Sequence, residues 1–364
     1  HTHLREPGYE YKEDIASGLE AAARGGFGAV MCMANTRPVN DTASVTTLML
    51  ERARHSHPHG PRLYPVAAAS MGLKGEELAP LAELKAAGCV AVSNDGRPLE
   101  SAELVRRIME YAADLDLTLI DHCEDPHLAR GWRMHEGVTS GLLGVKGQPA
   151  AGEAVQAARD IMLAEYLQLP VHIAHVSAAL TVDVIAWGKA RGVRVTAETC
   201  PHYLLLDETA LEGYNTLAKV SPPLRTAEDR AALRRAVKEG VIDILVTDHA
   251  PHAAHEKEGT LDEAPCGFTG LDLALSLTWE LVRAGVLAEA DLQRLWCRRP
   301  AEIFHLPWNG FAPGDPADFF LLDPEAVWVP GRETMYSKSL NTPFLGRELH
   351  GRVVHHWLGG RQLF

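Results

Sequence analysis

The run Val171-His172-Ile173-Ala174-His175 is short, apolar and β-branched, and it ends on a histidine. Residues 180–191 follow with helical spacing, and Arg194-Val195-Thr196-Ala197-Glu198 then reads as a second strand. A helix between two strands makes them parallel, because the chain must cross back over the sheet before it pairs again. The same alternation extends both ways. Strand-like runs lie at residues 27–33, 63–69, 89–93, 117–122 and 242–247, and helix-like stretches at 44–54, 76–87, 101–114, 152–167 and 227–238. Repeated βαβ units predict an α/β fold with a parallel sheet. The chain opens on His1-Thr2-His3, in the middle of what reads as a site motif, so a first strand is expected upstream of His1. With it the strands number eight and close into a (β/α)8 TIM-type barrel. A doubly wound sheet with a second domain is the alternative. Near the end, Gly314-Asp315-Pro316-Ala317-Asp318 leads into a short strand at 319–322, and Val353-Val354 precedes a Gly359-Gly360 turn. These predict a barrel domain over residues 1–310, with residues 311–364 contributing to a small β appendage.

The composition excludes several function classes. The 364 residues carry 35 Lys and Arg against 48 Asp and Glu, a formal charge of −13, which leaves no broad basic surface for nucleic acid. No apolar run reaches the ~18 residues of a membrane helix. Six cysteines (Cys32, Cys89, Cys123, Cys200, Cys266 and Cys297) stand far apart without a CxxC pair, as expected of reduced thiols in a cytoplasmic protein. The 18 histidines are the unusual feature.

Parallel barrels build their sites at the carboxyl ends of the strands. His1 and His3 would end the upstream strand, and a period of two puts both on one face. Asp95 follows the 89–93 run, His122 ends 117–122, His175 ends 171–175, and Asp248 follows 242–247. Four imidazoles and two carboxylates at strand ends suit zinc or a similar divalent ion. Four ligands would serve one ion, and six can hold two if a carboxylate bridges them. His55, His57, His59, His127 and His255 read as solvated or structural. Cys123 should point to the opposite side of its strand from His122.

The octapeptide His1-Thr2-His3-Leu4-Arg5-Glu6-Pro7-Gly8 resembles the opening signature of the dihydroorotases, in the amidohydrolase superfamily of metal-dependent barrels. The likeness continues through Met33-Ala34-Asn35-Thr36-Arg37-Pro38, His122-Cys123-Glu124-Asp125, His175-Val176-Ser177, Glu198-Thr199-Cys200-Pro201-His202-Tyr203, Ser221-Pro222-Pro223-Leu224-Arg225 and Thr247-Asp248-His249-Ala250-Pro251-His252, and closes on residues 337–344. The resemblance implies that His1 and His3 bind one zinc ion, that His122 and His175 bind a second, and that Asp95 bridges them. It makes Asp248 both a ligand and the acid/base in a reaction run by metal-activated hydroxide. It implies that Arg5 and Asn35 hold the substrate carboxylate, that His252 is a further substrate contact, and that Cys266 and Gly267 offer backbone groups to the pyrimidine ring.

Two positions depart from the family pattern: Ser221 stands where Asn is common, and Asn94 where a first Asp is common. No lysine occupies the strand end where many relatives carry a carboxylated one. The implied activity is the reversible cyclisation of N-carbamoyl-L-aspartate to L-dihydroorotate, a step of pyrimidine biosynthesis. The alternatives are a hydantoinase or allantoinase, whose substrates lack the carboxylate that Arg5 would read, and a silent partner subunit of aspartate transcarbamoylase. Such silent homologues lose metal ligands, and this chain keeps six. A small-molecule substrate, a homodimer and a possible transcarbamoylase association complete the expectation.

Overall fold

The computed structural model describes residues 1–308 and 310–364. Its strands are, in chain order, β1 (Ala29–Cys32), β2 (Arg62–Ala68), β3 (Ala91–Ser93), β4 (Leu119–Asp121), β5 (Met134–His135), β6 (Gly147–Gln148), β7 (Val171–Ile173), β8 (Val195–Thr199), β9 (Ile244–Leu245), β10 (Phe319–Trp328), β11 (Leu349–Leu358) and β12 (Arg361–Gln362). Seven of them form one curled parallel sheet in the order β1-β2-β3-β4-β7-β8-β9. Each of these coincides with a run read from the sequence: β2 and β8 keep its length and shift by one residue, and the other five are shorter by two to four residues. The fold is the expected TIM-type barrel with a small antiparallel sheet beside it.

Where the sequence reading expects the first strand to end, Thr2 makes parallel bridges to Cys32 on one side and His249 on the other. Its backbone N–H donates to the Met31 carbonyl at 3.0 Å, and its carbonyl accepts from Met33 at 2.9 Å. Among the described residues the ring of strands closes through Thr2. Beside that closure lies a cavity of about 520 Å³ lined by Phe27, Tyr64, Trp296, Phe304, Phe319 and Phe320, among others.

The helices pack because their apolar positions repeat. In helix Ala102–Asp114 the buried residues are Val105, Ile108, Met109 and Ala112, one face at a spacing of three and four. Each such large side chain contributes roughly 1.5–3 kcal/mol when fully buried. Ser101 caps this helix by accepting from Leu104 N–H, and Thr226 with Asp229 forms a reciprocal capping box on helix Ala227–Glu239.

The small sheet joins β10, β11 and β12 antiparallel. The sequence gives β10 only four residues, whereas pairing with β11 resumes past an irregularity between Asp323 and Val327 and carries the strand to Trp328. Gly359 and Gly360, both at positive φ, make the tight turn into β12. The segment after residue 310 also returns to the barrel mouth. Asn341 donates to the carbonyls of Ala250 and Gly267 and accepts from His252 N–H at 2.9 Å. No helix among the described residues is long and apolar enough to cross a membrane.

Candidate active site

Parallel pairing fixes where each strand ends, and the polar side chains leave from there. His1 and His3 flank Thr2, Asp95 lies two residues past β3, His122 one past β4, His175 two past β7 and Asp248 three past β9. The structure brings all six together, with side chains 1–6 % exposed. Their ligating atoms form two groups, His1/His3/Asp95 and Asp95/His122/His175, each within 4.8 Å and sharing Asp95. Asp95 Oδ1 lies 3.5 Å from His1 Nε2, 3.5 Å from His122 Nδ1 and 3.3 Å from His175 Nε2, while Oδ2 faces His3 Nε2 at 3.4 Å. Asp248 Oδ1 is 3.1 Å from His3 Nε2 and 3.6 Å from His1 Nε2.

These residues fit a divalent cation. His1 Nε2 is buried without a hydrogen-bond partner, and the ring nitrogens of His122 and His175 approach to 2.9 Å. Such crowded, unclaimed lone pairs are what a metal satisfies. The electrostatics agree. Burial pushes His1 toward its neutral form, but the carboxylates of Glu198 and Asp95 more than reverse that and hold its pKa well above the usual value. Burial raises the Asp95 carboxyl, the His1 charge and hydrogen bonds from His1, His122 and His175 lower it, and the net lies well below the carboxylate range. The Asp248 carboxyl is also lowered, burial being outweighed by the His3 hydrogen bond and the charges of His1, His3 and His175. The pocket favours positive charge.

Two supporting residues emerge. Glu198, the last residue but one of β8, accepts from His1 Nδ1 at 2.6 Å and from His172 Nε2 at 3.0 Å, fixing the His1 ring with Nε2 turned to the cluster. Sequence reasoning read carboxylates and imidazoles at the other strand ends and passed over this one; the same signal would have found it. Asn35 Oδ1 accepts from His3 Nδ1 at 2.8 Å, so the residue expected at the substrate carboxylate sits against a candidate ligand. Gly96 sits at φ +79, a conformation strained for a residue with a Cβ, and a Cβ there would also press on the Asn35 amide nitrogen at 3.3 Å. Arg5, His175 and Asp248 also have positive φ, at +64, +30 and +44. Such backbone persists only where its surroundings over-determine it, and here it clusters at one mouth.

The remaining expected residues form a second corner. Arg5 donates from Nε to the Pro251 carbonyl at 3.1 Å, with Nη2 3.3 Å from His252 Nε2. His252 Nε2 faces the Cys266 carbonyl at 2.9 Å, and Lys12 Nζ, which the sequence reading did not single out, reaches its Nδ1 at 3.3 Å. Gly267 N–H donates to the Lys219 carbonyl. Ser221 is half-buried in the turn before Pro222, whose carbonyl accepts from Tyr203. Asn94 faces away from the cluster: its amide donates to the carbonyls of Leu73 and Arg97 and its oxygen accepts from Ser70. A carboxylate there could make neither donation, so the departure from Asp serves the turn and leaves Asp95 untouched.

Cys123 points to the far side of its strand from His122, toward Asp121 and Asp160. That third acidic group closes around Arg159, 2.8 Å from Asp160, which supplies the charge a metal would bring.

Comparison with known proteins fits this geometry. A family model described as Dihydro-orotase-like matches residues 1–180. The chain is 47% identical over 364 residues to the dihydroorotase of Desulforapulum autotrophicum, covering all of this chain and 85% of that one. It is 48% identical over 363 residues to the dihydroorotase of Anaeromyxobacter dehalogenans, covering 99% of this chain and 83% of the relative. In fold it resembles the L-hydantoinase of Arthrobacter aurescens, with a TM-score of 0.86 at 21% identity over 100% of this chain and 83% of that one. With identity near one half along its whole length, the chain belongs to the dihydroorotase family.

Proposed function

We propose that the protein is a dihydroorotase, a hydrolase of cyclic amides that interconverts N-carbamoyl-L-aspartate and L-dihydroorotate. The observation that carries the reading is the convergence at one barrel mouth of the two His/Asp groups sharing Asp95 with the corner where the Arg5 guanidinium meets His252. His1 and His3 would hold one zinc ion, His122 and His175 the other, with Asp95 between them and Asp248 as a further ligand. Bound there, the metal centre supplies Lewis-acid polarisation and an activated water.

The protein's own groups do the rest. Asp248, an ionised carboxylate beside His3, takes the proton of the attacking water as the C–O bond forms, and delivers it to the ring nitrogen as the C–N bond breaks. In cyclisation the same carboxylate accepts the proton of the carbamoyl nitrogen as the C–N bond forms, and returns it to the carboxyl oxygen that leaves as water when its C–O bond breaks. Arg5 binds the substrate's free carboxylate by a charge-assisted pair, a local cation that a chain of net charge −13 requires for an anionic substrate. Asn35, Ser221, His252 and the backbone of Cys266 and Gly267 complete the substrate walls.

The six free cysteines support a reducing, cytoplasmic setting. A homodimer and an association with aspartate transcarbamoylase are carried as further expectations, checked by light scattering with and without that enzyme. The deciding assay follows both directions on dihydroorotate and carbamoyl aspartate, with hydantoin and allantoin as controls. Chelation should abolish turnover and zinc restore it. Turnover of hydantoin without turnover of dihydroorotate would overturn the assignment.

A further inference from the structure

His249, directly after Asp248, is fully buried, and both ring nitrogens are engaged. Nδ1 accepts from the backbone N–H of Gly270 at 3.0 Å and of Leu271 at 3.3 Å. A ring nitrogen that accepts carries no hydrogen, so the hydrogen is on Nε2, which faces Glu13 Oε2 at 3.3 Å. Glu13 has no exposed surface. Its two oxygens also accept from the hydroxyls of Ser17 and Ser337 and from Lys338 N–H at 3.2 Å. Burial pushes this carboxyl up, but the donors His249, Ser17 and Ser337 more than offset it, and its pKa lies below the usual value. Glu13 is an ionised, donor-saturated carboxylate in the interior.

The backbone of His249 is held as firmly as its ring. Its carbonyl accepts from His3 N–H at 2.8 Å, its N–H donates to Thr247 Oγ1 at 3.1 Å, and it bridges Thr2 and Phe268. The residue between Thr247 and His249 is Asp248, at φ +44. A side chain with a Cβ disfavours that conformation, so the flanking residue must over-determine it.

We propose that Glu13 and His249 form a positioning pair for Asp248: the buried carboxylate locks the His249 ring, and the locked ring holds the left-handed turn that keeps Asp248 Oδ1 3.1 Å from His3 Nε2. Neither residue touches the reacting atoms. Because Ser337 and Lys338 also bind Glu13, the C-terminal segment is tied through this pair to the proton carrier. The functional side of the inference rests on the dihydroorotase reading, since it takes Asp248 as acid/base.

The test is a double-mutant cycle on the zinc-loaded protein with Glu13→Gln and Asp248→Asn, following kcat, KM, zinc content and melting temperature. Glu13→Gln should lower kcat by about 10–100-fold, the scale of a small misplacement of a reacting group, with KM and zinc content little changed. In the Asp248→Asn background the same change should cost almost nothing further. An equal loss in both backgrounds, or an undiminished kcat, would overturn the pairing while leaving the dihydroorotase reading in place. Should Glu13→Gln not fold, His249→Asn keeps an acceptor for Gly270 and Leu271 but gives up Glu13, and goes through the same cycle with the same two outcomes. A crystal structure of the variant supplies a readout independent of turnover. Asp248 displaced from His3 supports the pair, and Asp248 in place overturns it even if the parent protein proves inactive on dihydroorotate.

Discussion

The two walls of the barrel mouth are built differently. On the side proposed for the metal, Asp95, His122, His175 and Asp248 follow strands of the seven-stranded sheet by one to three residues, and His1 and His3 flank the Thr2 bridge that closes it. Strand register therefore sets their convergence. On the side proposed for the substrate, Arg5, His252, Cys266 and Gly267 follow no strand of that sheet; they lie on loops beside the isolated bridges of Thr2, His249 and Phe268, and distant residues fix them. Asn341 alone binds His252 N–H and the carbonyls of Ala250 and Gly267. A wall set by register should fail in chemistry when a ligand changes and hold its shape. A wall set by loops should fail in recognition.

The largest expected effect lies on the metal side. Asp248→Asn preserves shape but removes proton acceptance, so turnover should fall about 10²–10⁴-fold in both directions. Zinc content measured alongside separates lost chemistry from lost metal. A fully loaded variant with near-normal turnover would take Asp248 out of the mechanism and erase the contrast between the walls.

The next effect falls one layer behind that wall. Glu198→Gln removes the charge that fixes the His1 ring, and supporting groups of this kind are typically worth about 10–100-fold in metal affinity. Competition against a zinc chelator measures it. Unchanged affinity would mean that register alone orients His1.

On the substrate side, Arg5→Met should raise KM for dihydroorotate by the loss of a charge-assisted contact of about 1.5–3 kcal/mol, with zinc content unaltered. Hydantoin turnover, which has no carboxylate to lose, is the control. If it falls in parallel, Arg5 supports the loop instead of reading the substrate, and the two walls are less distinct than they look.

The same contrast explains what the sequence disclosed. Ala29–Cys32, Ile244–Leu245 and their counterparts are legible because a parallel strand buried on both faces must be a short apolar run. Their polar end residues stand out against that background. His249 was visible only as part of a motif, and Glu13 not at all. Its partners Ser337 and Lys338 lie more than 300 residues away, and no local period signals such a contact. The two-residue pairing of β5 with β6 was missed for a related reason, since neither is long enough to show alternation.

The smallest effect tests the loop side through pH. His135, on β5, accepts at Nδ1 from Arg225 Nη1 at 3.3 Å, which requires the neutral ring. Burial and the Arg225 charge lower its pKa from 6.5 to about 4. The unfolded chain therefore binds a proton at His135 between pH 6.5 and 4 that the folded chain refuses, and stability falls as pH drops through that window. Below pH 4 both states are protonated and the contribution levels off. After allowance for solvent screening the loss is on the order of 1–2 kcal/mol. Many carboxylates titrate in the same range, so the informative quantity is a difference between variants. His135→Gln presents an amide oxygen to Arg225 and cannot titrate. Its urea midpoint should fall less between pH 7 and 4.5 than that of the parent. Equal falls would mean that the loop carrying β5 relaxes freely enough to solvate a charged His135, and that the loop-built side of the mouth is looser than its hydrogen bonds suggest.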